Sequence, residues 1–353
     1  MVNIVAKKIV LIGPIPPPFG GVSIHIQRLS LLLEDDFEIA FIDESHIIKS
    51  KYFNIRSWNF ISYFRRIIHS DLLYIHSGKR LLKFFHLLVG SIFLKKIILT
   101  IHSYRSTNNL FIRYADELIY RLSNLIVIVN PDILENLSLP VAKCVIIQPF
   151  IPPKMEIEPF LPTFVDNWIQ DRKTKGRTIL CANAWQLATY KNEDLYGLDL
   201  LIEVAGQLFK QKISISFVFN VASIEKFKEI YLKYHSIIEK SEFKDDFLLI
   251  NENLSFVKLI EKSDVVIRPT NTDGDALTIR EALFLGKPII ASDVVRRPEG
   301  TILFRTRDES DLGEKIIKCI NDLTTVNSNQ KYRKESAEYY KPYAEILTKV
   351  LKG

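Results

Sequence analysis

The chain has 353 residues, too many for one ordinary core and suited to two domains of roughly 150–200 residues each. With 47% hydrophobic and 25% charged residues, it is neither a disordered polymer nor a collagen-like or coiled-coil rod. The net charge is +6, and the whole excess falls within residues 1–150, which hold 17 basic and 11 acidic residues.

Short, nearly continuous apolar runs predict strands over 8–13, 37–43, 72–76, 96–102, 125–129 and 144–147. Strands without apolar/polar alternation are buried on both faces, as in parallel sheets. Between them lie amphipathic segments. Val22, Ile26, Leu29 and Leu33, for example, make one helical stripe. Pro149, Pro152, Pro153, Pro159 and Pro162 then crowd a short stretch, which reads as an extended linker. The pattern resumes with strands predicted over 178–182, 213–220, 247–250, 265–268, 289–292 and 301–304, and the tail 332–351 reads as a helix. This is an α/β architecture twice over. The expected division is 1–152, a linker over 153–177, a second domain over 178–331, and a terminal segment 332–353 packing back on the first domain.

Cys144, Cys181 and Cys319 are far apart and odd in number, so no disulfide framework is expected and a reducing cytoplasm is the natural compartment. The apolar run 9–12 is too short for a signal peptide, and 84–94 is too short to span a bilayer. Within 49–113, Lys49, Lys51, Arg56, Arg65, Arg66, Lys79, Arg80, Lys83, Lys95, Lys96, Arg105 and Arg113 face a single acid, Asp71. Such a face attracts phosphate-rich partners, unless it is simply solvated surface. Interleaved Phe84, Phe85, Leu87, Leu88, Ile92 and Phe93 suit the anionic inner face of a membrane better than nucleic acid.

Two stretches could carry chemistry. Gly13, Pro14, Ile15, Pro16, Pro17, Pro18, Phe19, Gly20 and Gly21 join the first strand to the first helix. Glycines let backbone approach a ligand, and a helix start offers free N–H groups to an anion. The alternative is a proline-stiffened turn. The second stretch runs from Arg268 to Leu283. Asp273 sits in its loop and Glu281 in its helix, so both can face the crevice at the strand ends. Carboxylates there accept hydrogen bonds from sugar hydroxyls, while helix-start N–H groups can hold phosphate. Alternatively, Asp273 or Asp275 merely caps the helix. Trp185 follows a strand end and is expected to pack, or else to line the cleft. No P-loop, HExxH or GxSxG pattern is present.

The early Gly20-Gly21 pair, a histidine after a first-half strand, and an acid separated by seven residues from Glu281 resemble the retaining GT-B glycosyltransferases of the GT4 type. The run Gly286 to Ser292 extends the likeness, and the proline-rich start resembles members that build bacterial surface polysaccharides. The resemblance implies two Rossmann-like domains with parallel sheets facing a central cleft. It implies transfer of a sugar from a UDP- or GDP-sugar to a glycan, plausibly lipid-linked, with no required cofactor or metal. Glu281 then matches the residue on the nucleotide ribose, and Asp273 the acid near the donor sugar. Gly20 and Gly21 match the loop at the donor phosphate, Leu277 and Thr278 the helix-start amides on the diphosphate, and His102 a histidine at the sugar, with His76 competing for that role. The chain departs from the pattern in two places. Asp273 stands where glutamate is usual. Where the family has an arginine and, five residues on, a lysine before glycine, this chain has Lys191, Tyr196 and Gly197. One cation is therefore missing, and Arg268 or Arg280 could supply it, since a departing diphosphate needs cationic stabilisation. Arg296 and Arg297 replace small residues and receive no role. The other readings are a nucleotide-sugar-binding protein without transfer and a nucleotide-sugar 2-epimerase.

Overall fold

The computed structural model describes residues 7–17, 19–102, 109–129, 133–134, 141–274, 276–323 and 336–352. Pro18, Arg105, Asp275 and the start of the tail at 332 lie outside them. The chain divides into two units, Met1–Ile151 with Glu335–Gly353, and Pro152–Lys334.

In the first unit, β1 (Lys8–Gly13) leads into α1 (Gly21–Leu33) and β2 (Glu38–Asp43). Next come β3 (Phe53–Asn54), α2 (Phe60–Ile68), β4 (Leu72–Ile75) and α3 (Arg80–Ile92). The unit continues with β5 (Lys96–Ile101), α4 (Leu110–Arg121), β6 (Leu125–Ile128) and β7 (Cys144–Ile146). The strands pair in parallel in the order β3-β2-β1-β4-β5-β6-β7. Ile9, Val10, Leu11 and Ile12 are fully buried, as a central strand covered on both faces requires. One face packs on Tyr63, Ile67 and Leu87 of α2 and α3. The other packs on α1 and on the terminal helix Ser336–Lys352, through Tyr343, Ile346, Leu347 and Val350. The chain's last described residues thus close the core of the unit that its first residues open.

The second unit begins with α5 (Thr163–Thr174) and β8 (Thr178–Ala184). A small hairpin, β9 (Thr189–Tyr190) and β10 (Glu193–Asp194), precedes α6 (Leu198–Lys210) and β11 (Ile215–Val221). Then follow α7 (Lys228–Glu239), β12 (Phe247–Ile250), α8 (Phe256–Lys262) and β13 (Val265–Arg268). The unit ends with α9 (Leu277–Phe284), β14 (Ile289–Ser292), β15 (Ile302–Phe304) and α10 (Glu309–Leu323). The sheet order is β12-β11-β8-β13-β14-β15, all parallel. This is the doubly wound, Rossmann-like order, and the strand order reverses between β8 and β13. The stretch expected as linker is free of helix and strand only up to Pro162, with a turn at Met155–Glu158. Beyond it, α5 buries Val165 and Ile169 against Ile179 and Cys181, so those residues belong to the second core. Among the described residues no helix is long and apolar enough to cross a membrane.

Candidate functional site

Open α/β sheets bind ligands at the carboxyl ends of the strands where the order reverses. In the second unit that point lies between β8 and β13, where Arg268, Asp273, Leu277, Thr278 and Glu281 gather. Arg268 ends β13 and donates to Asp273 through Nε at 3.0 Å and Nη2 at 3.1 Å. The Asp273 carboxylate also accepts from Arg297 Nη1 at 2.9 Å and from Thr270 Oγ1 at 3.1 Å. Burial alone would push this carboxyl up, but the two guanidiniums outweigh it and hold it below its usual range. Arg297 is almost fully buried and also donates to the Ser292 carbonyl, at 3.0 Å. It therefore fastens the end of β14 to the Asp273 loop.

Helix α9 has Ala276 at its N-cap, a residue whose side chain makes no cap hydrogen bond to the first turn at Leu277 and Thr278. Thr278 Oγ1 reaches Asn183 Oδ1 at 3.2 Å, which ties this helix start to the end of β8. Glu281 is buried on the same helix. Gly286 adopts φ +68° just past the helix, where a left-handed residue ends it. Arg280 is half-buried beside Glu281.

Tyr196, where the resemblance expects a lysine, lies beneath Arg268, whose guanidinium carbon is 5.3 Å from the ring centroid. Lys191 is exposed at the turn of the β9–β10 hairpin, with its ammonium 5.5 Å from the Tyr190 ring. Asn271 anchors that hairpin by donating to the Tyr190 carbonyl at 3.2 Å. Trp185 is 36% exposed just past β8, and so stands outside the core.

In the first unit the glycine loop has a support that the sequence did not reveal. Asp43, fully buried at the end of β2, accepts from the Ile15 amide at 3.0 Å and from Lys49 Nζ at 2.7 Å. Lys49 Nζ also donates to the Ile15 carbonyl at 2.8 Å. Lys49 and the buried Lys83 are thus interior groups and do not belong to the basic surface expected of 49–113. At the loop's end the Gly20 amide donates to Ser23 Oγ at 2.8 Å. A Cβ placed on Gly21 would meet nothing within 4 Å, so packing within the chain does not demand a glycine there.

His102 and His76, rivals for one role in the sequence, lie side by side in the structure. His76 Nδ1 lies 3.1 Å from His102 Nε2, and His25 of α1 completes a cluster with ring centroids 5.0 Å from His102 and 5.3 Å from His76. Burial lowers the pKa of all three. His25 falls to about 4, and His76 and His102 fall well below the usual 6.5. His25, Asn183, Arg297 and Asp43 escaped the sequence reading. Arg297 had been visible only as a large residue in place of small ones.

Residues 187–322 match the family described as glycosyl transferases group 1. No curated protein sequence matches the chain. Among solved structures, a glycosyltransferase from Rickettsia africae is similar at TM-score 0.70 and 14% identity, covering 99% of this chain and 100% of its own. HepE from Anabaena, in complex with UDP and glucose, is similar at 0.68 and 14%, covering 97% and 100%. The trehalose-phosphate synthase (UDP-forming) of Burkholderia xenovorans is similar at 0.61 and 10%, covering 98% and 100%. Identities this low establish the fold, which is GT-B with two Rossmann-like domains. The fold and the matched segment agree on one class, a transferase of the glycosyltransferase type.

Proposed function

We propose that the chain transfers a sugar from a nucleoside diphosphate donor to a glycan acceptor with retention of configuration, as a GT4-type enzyme of surface polysaccharide assembly. The observation that carries this reading is the β13–α9 element at the reversal point of the second sheet. It combines a helix start with alanine at its N-cap, a buried Glu281 and a guanidinium at Arg268 in one place. The Leu277 and Thr278 amides would receive the diphosphate, and Glu281 the ribose. Arg268, stacked on Tyr196, would replace the absent lysine as the cation for the departing diphosphate. Asp273 then holds Arg268 in place, and the family resemblance alone assigns Gly20, Gly21 and His102 to the donor. Complexes of HepE with UDP-glucose support a uridine donor.

The first unit is assigned to a lipid-linked acceptor and to the cytoplasmic face of an anionic membrane. In its support, Ile61 of α2, Leu81 and Ile92 of α3, and Leu94 just beyond it are between 66% and 91% exposed, and Lys51, Arg65 and Lys79 of the same unit are exposed too. The test is incubation of radiolabelled UDP- and GDP-sugars with lipid-linked acceptors. Product from wild type but not from Glu281→Ala supports transfer. Absence of product from every donor would overturn it, and binding of nucleotide-sugar without turnover would identify a binding protein instead.

A further inference from the structure

We propose that His25, His76 and His102 form a binding site for one divalent transition-metal ion of the zinc class. The three side chains come from α1, from just beyond β4 and from just beyond β5. They meet where the strand order of the first sheet reverses at β1, the place where such sheets take ligands. Each offers one ring nitrogen, and these three atoms lie within 4.8 Å of one another.

The ring geometry fits a metal. Zinc–imidazole bonds of about 2.0–2.1 Å at tetrahedral angles put ligand nitrogens about 3.3 Å apart and ring centroids about 5 Å apart. Here the centroids are 5.0, 5.3 and 5.4 Å apart, and one nitrogen pair is already at 3.1 Å. Small ring rotations would bring the third nitrogen in.

The hydrogen bonding fits as well. His25 Nδ1 donates to the Pro149 carbonyl at 2.7 Å, which fixes the tautomer and leaves the lone pair on Nε2. A ligating histidine characteristically spends its other nitrogen on a carbonyl in this way. His25 Nε2 is buried without a hydrogen-bond partner, on a residue only 7% exposed. Orphaned polar atoms at such depth are costly unless something occupies them. Among the described residues no carboxylate joins the cluster, so the donor set is three neutral imidazoles. That set suits zinc, with water or substrate in the fourth position, and does not suit magnesium or calcium, which want oxygen. His102, the partly exposed member, marks the open side.

The inference does not depend on the transferase reading, because it is scored by bound metal and not by turnover. An ion here would take the nitrogen assigned above to the donor sugar, so zinc is expected to depress transfer and a chelator to restore it. The experiment strips the full chain with chelator, dialyses it against zinc chloride and counts bound metal by mass spectrometry. Cobalt substitution then reads coordination through its visible bands. One equivalent in wild type, with four-coordinate cobalt bands, is expected. His25→Ala and His76→Ala should weaken binding about a hundredfold or more, whereas His69→Ala, on the exposed end of α2, should leave it unchanged. His76→Gln, which keeps volume and polarity, guards against a folding artefact when its circular dichroism matches wild type. No stoichiometric zinc in wild type, or a full equivalent retained in both folded His25 and His76 variants, would overturn the site.

Discussion

Arg268 grips Asp273 with two hydrogen bonds, of 3.0 and 3.1 Å, while Arg297 holds the same carboxylate from the other side at 2.9 Å. Two cations on one buried anion leave a net positive charge at the end of β13. The Asp273 side chain is 8% exposed and that of Arg297 is 2% exposed, so neither can turn to water if its partner is lost. Breaking a buried pair from one side strands the other charge. Asp273→Asn is therefore expected to cost about 3 kcal/mol in urea unfolding at neutral pH. The pH dependence has a definite sign. The folded carboxyl lies below its usual 3.8, so its contribution is complete above that value and is lost as pH falls through the lower, folded one. The stability gap between wild type and Asp273→Asn should stay constant down to about pH 5 and narrow below it. A gap unchanged at acid pH would show that the carboxylate's charge is not what stabilises this loop.

Arg268 and Lys191 make different predictions as the cation for the departing diphosphate. Arg268 ends a core strand, is fixed by Asp273 and lies over Tyr196. Lys191 is exposed on a hairpin turn. Preorganised charge stabilises a transition state more than mobile charge does, since it needs no reorganisation during reaction. Arg268→Ala should lower kcat about a hundredfold or more, with a smaller change in KM for the donor. Lys191→Ala should change kcat less than about tenfold. The reverse ranking in steady-state kinetics would return the role to Lys191.

Gly197 starts α6 at φ +69°, and a Cβ there would lie 2.3 Å from the Pro269 carbonyl oxygen and 3.0 Å from the proline ring. The demand for glycine is therefore double, in dihedral and in space. Gly197→Ala is expected to cost at least about 2 kcal/mol, and Gly197→Asn should not rescue it although asparagine tolerates a left-handed backbone. Rescue by asparagine in thermal unfolding would show that only the dihedral matters. Because Pro269 belongs to the Asp273 loop, both variants should also weaken nucleotide binding.

How legible these features were depended on their range along the chain. Each of the twelve predicted strands appears, because a buried parallel strand is a continuous apolar run that needs no partner to be seen. Strands β3, β9 and β10 were missed, since two residues carry no periodicity. Helix α5 was taken for linker because it adjoins the proline cluster, whereas its burial of Val165 and Ile169 is a tertiary fact. The Asp273–Glu281 element is local and could be read directly. Arg297 on Asp273, and His25 beside His76 and His102, are contacts made by folding, and a single sequence gives no sign of them. A charge count likewise cannot tell Lys49, half-buried and bonded to Asp43, from solvated Lys51.

The basic first unit offers a last test, at its α2 and α3 face. Ile61 and Leu81 are each 83% exposed, so replacing them leaves the core untouched. Fully burying one such side chain is worth about 1.5–3 kcal/mol. The double variant Ile61→Asp with Leu81→Asp should therefore lose at least about tenfold in partition onto vesicles of anionic phospholipid. Phe160→Asp, at a residue 91% exposed in the second unit, should lose nothing. Attraction between Lys or Arg and anionic headgroups is screened within about 10 Å at 0.1 M salt, so raising ionic strength should weaken wild-type cosedimentation as well. Equal binding to neutral and anionic vesicles, insensitive to salt and to the double variant, would remove the membrane from the picture and leave these side chains as ordinary exposed surface.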